Sequence, residues 1–230
     1  MQNTYLWINL FTVIFPFLLS FDKKVAFYKQ WNSIIPAILI TATFFIVWDI
    51  IFTSLKVWWF NPLYVTGINF INLPLEEVLF FIAIPYAGLF LYEVFNSYIK
   101  KDILVKQSKE ISIAISIIFI IIAIINFSKI YTFYSFLFSA IYTVLLALIF
   151  KVKYLSRFFF MYLILLLPFL LVNGMLTGSF LNREVVQYNN LENLGIRILT
   201  IPIEDISYGY LLMLINISLH EKIKSYFLTK

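Results

Sequence analysis

Cysteine is absent from the 230-residue sequence, so no disulfide, thiolate metal site or cysteine nucleophile can be built from it. A single histidine, His220, excludes the usual histidine-rich metal centres. Glycine is sparse, and no G-x-G-x-x-G run occurs, which removes the loops that cradle dinucleotides and phosphates. Charge is scarce as well. Asp, Glu, Lys and Arg make up 13% of the residues, about half the share found in soluble globular domains. Apolar side chains take their place, at 62% of the chain and a mean hydropathy of +0.93. A soluble globule of this size could not bury so much apolar surface. The composition predicts an all-α integral membrane protein, multi-pass, in a cell membrane.

Seven apolar runs are legible: Tyr5 to Leu19, Ile34 to Phe52, Val78 to Tyr98, Ile111 to Phe127, Tyr131 to Phe150, Phe158 to Thr177 and Ile206 to Leu219. Most approach the ~20 residues that cross ~30 Å of hydrocarbon, and the fourth and seventh need flanking residues to do so. The first run is followed, not preceded, by its charges (Asp22, Lys23, Lys24), the reverse of a signal peptide. It is read as a retained span with its N-terminus outside. The net charge of +5 has the distribution expected of membrane topology, not of nucleic-acid binding. Segments 21–32, 99–110, 151–157 and 220–230 hold nearly all the lysines and arginines, the last of them Lys230. Only Lys56, Lys129, Arg183 and Arg197 fall on the opposite side. The positive-inside rule then gives seven transmembrane helices, N-out and C-in. Asp49, Glu76, Glu77, Glu204 and Asp205 gather on the outer side.

Sliding the sequence by 128 positions brings landmarks into register. Asn61 falls on Asn189, Gly67 on Gly195, Pro74 on Pro202, Glu76 on Glu204, Glu77 on Asp205 and Glu93 on Glu221. Spans one to three overlay spans five to seven, with the fourth as a linker that restores orientation. The expected architecture is two parallel three-helix repeats, 1–100 and 131–230, joined by a linker at 101–130. The Pro-x-acid-acid elements of the two repeats would then face each other at one depth.

Two readings of those acids stand side by side. Pro74 and Pro202 suit a helix start, and acids in a first turn are favoured by the helix dipole, so all four could be capping residues. Alternatively, two inward acids in a desolvated site cannot both ionise easily, so one stays protonated as general acid while its partner serves as base. That chemistry needs no metal and no organic cofactor. Asp49, beside Trp48, belongs to the same layer. Trp58, Trp59, Phe60 and Tyr64 are either an interfacial aromatic belt or rings that stabilise a cation. Arg197 could neutralise Glu204. Asn173 and Thr177 either join helices or touch substrate. Glu93 and Glu221 close their spans on the inner side and are read as structural.

These residues resemble a known family. Trp48-Asp49, Asn61-Pro62-x-Tyr64-x-x-Gly67 and Leu73-Pro74-Leu75-Glu76-Glu77-x-x-Phe80-Phe81 are similar to the membrane-embedded, non-flavin lycopene β-cyclases. Val172-Asn173-Gly174-x-Leu176-Thr177-Gly178 and Pro202-Ile203-Glu204-Asp205-x-x-Tyr208-Gly209 resemble the second subunit of the two-subunit form, so the chain looks like the fused form. The resemblance implies cyclisation of the linear ends of lycopene to β-ionone rings, giving γ- and then β-carotene, an isomerisation without cofactor. It implies acid/base roles for Glu76, Glu77, Glu204, Asp205 and Asp49, with Glu76 or Glu204 as donor. Trp58, Trp59, Tyr64, Asn61, Asn173 and Thr177 are the expected substrate contacts. The substrate would arrive from the bilayer, and a second copy or other carotenoid enzymes are the expected protein partners. Relatives that act on longer carotenoids or hydrate carotenoid ends share the first protonation. A proton-coupled secondary transporter is the alternative of another class, disfavoured because the acids lie at the outer edge and no matched broken helices occur at midplane. A retinal-binding receptor would need a lysine in the last span, and Ile206 to Leu219 has none.

Overall fold

A computed structural model of the protein describes residues 3–228; Lys230, counted above with the last basic segment, lies outside them. The apolar runs become α1 (Thr4–Leu19), α2 (Trp31–Ser54), α3 (Leu75–Tyr98), α4 (Ser108–Ile125), α5 (Ile130–Val144), α6 (Leu155–Leu176) and α7 (Glu204–Leu228). In an apolar surround only intrahelical bonds can satisfy the backbone, which is why runs without a polar face still fold as helices. A 3-10 turn, Phe27–Gln30, precedes α2, and a π-helical turn, Leu145–Ile149, extends α5. Five helices, α2 to α6 with these extensions, are long and apolar enough to cross a membrane. At 16 residues α1 is shorter. Helix α7 runs past Leu219, the expected end of the seventh run, to Leu228, and it buries Asn216, Ser218 and His220. Rows such as Leu39, Ile40, Phe44, Val47 and Ile51 on α2 stay exposed, as a lipid-facing surface requires.

The helices are not the whole fold. Three short antiparallel pairs cap the end of the bundle where α3 and α7 begin: β1 (Trp58–Phe60) with β4 (Val186–Tyr188), β2 (Asn69–Phe70) with β3 (Leu73–Pro74), and β5 (Arg197–Ile198) with β6 (Ile201–Pro202). The segments before Pro74 and Pro202 cannot be helical up to the proline, so their polar backbone groups find partners across the chain. Gly67 (φ 84°) and Gly195 (φ 71°) each provide the left-handed turn that leads into a hairpin.

This cap follows the 128-residue spacing bond by bond. In the β1–β4 register Trp59 pairs with Gln187, its own counterpart 128 positions on, while Trp58 meets Tyr188 and Phe60 meets Val186. A strand that pairs with its equivalent in this way is what a two-fold axis generates. The flanking bonds are reciprocal too. Asn61 N–H donates to the Val185 carbonyl (2.8 Å), and Asn189 N–H to the Val57 carbonyl (2.9 Å). Below the cap, α2 packs on α7 and α6 on α3, so each half buries its second helix against the other half. Helix α4 packs chiefly on α5, outside this exchange.

At the far end of α3, Glu93 accepts from Gln30 Nε2 (2.8 Å), His220 Nε2 (3.0 Å) and Lys224 Nζ (2.9 Å). Tyr92 beside it donates to Glu221 Oε1 at 2.7 Å. These bonds tie α3 to the start of α2 and the last turns of α7. Glu93→Ala would strip three donors of their shared acceptor, at a cost of about 3 kcal/mol. The expected outcome is a clearly lower thermal unfolding midpoint in detergent micelles, with Glu93→Gln recovering part of it.

Candidate active site

Asp49 lies late in α2, Glu77 in the first turn of α3 and Asp205 in the first turn of α7, and all three are buried. Pro74, extended at φ −64° and ψ 148°, sets where α3 begins. Successive helical residues diverge by ~100°, so the two acids of each pair look in different directions. Glu76 is wholly buried and turns to the loop, its Oε1 accepting from Thr66 N–H at 2.7 Å. Glu204 repeats the arrangement, its Oε1 accepting from Leu194 N–H and Thr132 Oγ1, both at 2.7 Å. Glu77 and Asp205 look the other way, into a cavity of ≈380 Å³ that Asp49 also lines. Its size is that of a small-molecule site.

Each inward acid has its own partners. Tyr5 O–H donates to Glu77 Oε2 at 2.6 Å, and Tyr208 O–H to Asp49 Oδ1 at 2.7 Å. Glu77 and Asp49 line the same cavity, and so does Asp205. No lysine, arginine or histidine among the described residues lines that cavity, and carboxyls crowded into a desolvated site without a cation do not all ionise readily. Asp205 is placed differently. It accepts from Tyr131 O–H (2.5 Å) and Asn173 Nδ2 (2.6 Å), and from Tyr188 O–H (2.9 Å). Three donors converging on two oxygens are the setting of an ionised carboxylate. Burial, and then the Asp205 charge beside it, hold the Tyr188 hydroxyl well above its usual range, so it remains a donor. The cavity therefore holds two acids with one tyrosine donor each, and a third acid, Asp205, with three donors.

The walls are aromatic. Trp58 lies with ring centroids 5.0 Å from Tyr131 and 6.1 Å from both Tyr188 and Tyr208, and Tyr131 stacks on Tyr188 at 5.9 Å. Such faces attract a desolvated cation, by ~2 kcal/mol or more for a good contact. The cavity runs between α1, α3, α6 and α7, and Phe11 and Phe15 of α1 line it while standing mostly exposed on the outer surface. Pro168 of α6 is likewise both a lining and an exposed residue. The cavity thus opens sideways, toward the lipid-facing surface.

The structure brings together Asp49, Glu77, Asp205, Trp58 and Asn173. Glu76, Glu204, Trp59, Asn61, Tyr64 and Thr177 do not line the cavity. Trp59 is half-exposed and its Nε1 donates to Gln187 Oε1. Asn61 binds the Glu184 carbonyl and the Leu63 amide, and the Tyr64 carbonyl accepts from Tyr5 N–H. Thr177 shares a hydrogen bond with Thr200 at 2.7 Å, holding the end of α6 to a hairpin. Arg197 does not neutralise Glu204; it binds the Thr200 carbonyl and Asn190 Oδ1. The sequence alone gives no site role to Tyr5, Tyr131 and Tyr188, and marks Tyr208 only as part of a motif; all four line the cavity. A signal existed: Tyr5 and Tyr131 are the second residues of the equivalent helices α1 and α5, at nearly the repeat spacing, and each donates to the second acid of its own half.

Comparison with known proteins follows the same halves. The profile of a family described as lycopene cyclase matches residues 2–95 and again residues 128–223, together most of the chain. No curated protein and no solved structure matches it.

Proposed function

The chain belongs to the lycopene cyclase family, and from that premise we propose that it is a lycopene β-cyclase, converting the linear ends of lycopene to β-ionone rings by way of γ-carotene to β-carotene. The observation that carries this reading is that Asp49 and Glu77 share one apolar, laterally open cavity with the triply hydrogen-bonded Asp205, and that no basic side chain among the described residues lines it. The proton held by Asp49–Glu77 adds to the terminal double bond and leaves a tertiary cation. The neighbouring double bond attacks it, closing the six-membered ring and moving the cation inside that ring. Asp205 then removes a ring proton, and the electron pair of that C–H bond forms the ring double bond. One proton enters and one leaves, so the product is an isomer of the substrate. Trp58, Tyr131, Tyr188 and Tyr208 stabilise the cation between the two transfers and keep water from it.

This assignment gives the donor role to the Asp49–Glu77 pair, since Glu76 and Glu204 are turned to loop amides. Glu76→Gln preserves an oxygen that can accept from Thr66 N–H. Turnover is expected to stay within roughly tenfold of wild type, a barrier change under about 1.4 kcal/mol. Timed pigment extraction from cells with matched protein levels measures it.

We also read the fold as seven spans, N-out and C-in, with parallel repeats at 1–100 and 131–230 about an axis along the membrane normal and a linker at 101–130. The reciprocal β1–β4 pairing and the double family match support the repeats. The basic segments support the orientation. Lycopene would reach the acids from the bilayer, between α1 and α6. The deciding experiment is expression in a lycopene-accumulating bacterium with pigment chromatography. Monocyclic and then bicyclic pigment is the expected result. Unchanged lycopene with well-inserted protein would overturn the reading, and a hydroxylated linear product would reassign it to hydration.

A further inference from the structure

A second concavity lies at the other end of the bundle. It is an open cleft of ≈950 Å³, bounded by the last turns of α3, the first turns of α4 and α6, the π turn after α5 and the C-terminal part of α7. Tyr92 and Asn96 border it, and at 1.5 Å per residue they stand more than ~20 Å along α3 from Glu77. It shares no lining residue with the carboxyl cavity.

Its wall is strongly basic. Lys109, Lys151, Lys153, Arg157 and Lys224 line it, against two acids, Asp102 and Glu221. The acids are already engaged. Asp102 accepts from Ser156 Oγ (2.5 Å) and faces Arg157 Nε at 3.8 Å, and Glu221 accepts from Tyr92. Arg157 is further fixed by Asn96 Oδ1 at 2.9 Å, and Lys224 by Glu93. Lys109, Lys151 and Lys153 take part in none of the ion pairs among the described residues. Two of these three come from one short loop whose backbone is strained: Lys151 adopts a left-handed φ of 48° directly after the π turn. A non-glycine residue in that region costs of order 1 kcal/mol or more, which the surrounding structure must offset.

Basic loops at one end of a membrane bundle are expected from topology alone. Topology does not ask that three lysines outside every ion pair among the described residues line one concave wall. That arrangement calls for a multivalent anion. Neutral polar groups of Tyr154 and Asn96 stand in the same wall. The cleft also lies where the apolar helices end, at the depth of lipid headgroups. Basic pockets between helices at such a level bind phosphate-bearing headgroups. We propose that this cleft binds a phosphate-bearing anion, supplied either by a phospholipid headgroup or by a soluble phosphate, through Lys109, Lys151 and Lys153.

The test uses the purified full chain in three settings: phosphatidylcholine nanodiscs, the same nanodiscs containing phosphatidylglycerol, and phosphatidylcholine nanodiscs with added inorganic phosphate. Thermal unfolding and native mass spectrometry are read in each. Phosphatidylglycerol is expected to raise the unfolding temperature and leave bound lipid adducts if the headgroup is the ligand. Inorganic phosphate alone does so if the ligand is soluble. The variant Lys109→Gln/Lys151→Gln/Lys153→Gln should lose roughly 100-fold in affinity, taking each ammonium near the surface as worth about fivefold. Lys153→Glu alone should weaken binding in the same direction, which covers poor yield of the triple variant. A control, Lys23→Gln/Lys29→Gln/Lys222→Gln, removes equal charge outside the cleft and should keep the shift. No shift with either anion would overturn the proposal, as would a shift that survives the cleft variants or vanishes equally in the control.

Discussion

Glu77→Gln is expected to lower lycopene conversion by at least about 1,000-fold while the protein still inserts in the membrane, within the range that general acid catalysis contributes. Glutamine keeps the size of the side chain and an oxygen for Tyr5 O–H, now 2.6 Å from Glu77 Oε2. It cannot hold a proton to give away. Asp49→Asn removes the other holder of that proton. Asparagine can neither hold that proton nor, lacking a charge, favour its retention on Glu77, so a loss of about 100-fold or more is expected as well. Pigment chromatography with immunoblotted membrane fractions separates lost chemistry from lost protein. Wild-type conversion by Glu77→Gln would end the assignment of the acid.

Asp205→Asn should behave differently, because it acts after the proton has been delivered. The three donors, Tyr131, Asn173 and Tyr188, would face a neutral amide with one acceptor oxygen in place of a carboxylate. The ring cation would still form but lose both its counter-charge and its base. Conversion is expected to fall by about 100-fold or more. What product remains should shift toward ring-double-bond isomers and hydrated pigment, as the cation finds other exits. Glu77→Gln shows no such shift, since it never makes the cation. β-Carotene from Asp205→Asn at the wild-type rate and purity would refute the role of Asp205 as base.

The sequence carried much of this. The membrane class follows from 62% apolar residues, whereas the strand cap is not legible there: the apolar runs predict helices alone, and the structure pairs Trp59 with Gln187, 128 positions on. Adjacent acids, however, are indistinguishable on paper. Whether Glu76 or Glu77 looks inward depends on how α3 is rotated by α1 and α2 packed against it, and no local residue states that rotation. The tyrosines were hidden by the repeat itself. Tyr188 and Tyr208 fall on Phe60 and Phe80, so alignment presents each as one more aromatic ring and conceals its hydroxyl. Asp49 falls on Thr177, which ties α6 to a hairpin and does not line the cavity. The halves thus share a backbone plan and differ in their side chains: in the proposed reaction the first contributes the proton and the second the charge that takes it back.

In the proposed reaction, a substrate with two equivalent ends would meet a catalyst with a single seat, because both halves build one cavity. Each end must be presented in its own encounter, and between the two the half-finished molecule has to back out, reverse and return. The ratio of one-ringed to two-ringed pigment then becomes a matter of supply. When lycopene crowds the membrane, fresh linear chains compete for the seat and one-ringed product accumulates; when enzyme is plentiful, both ends are closed. Expression level alone would set the colour of the cell.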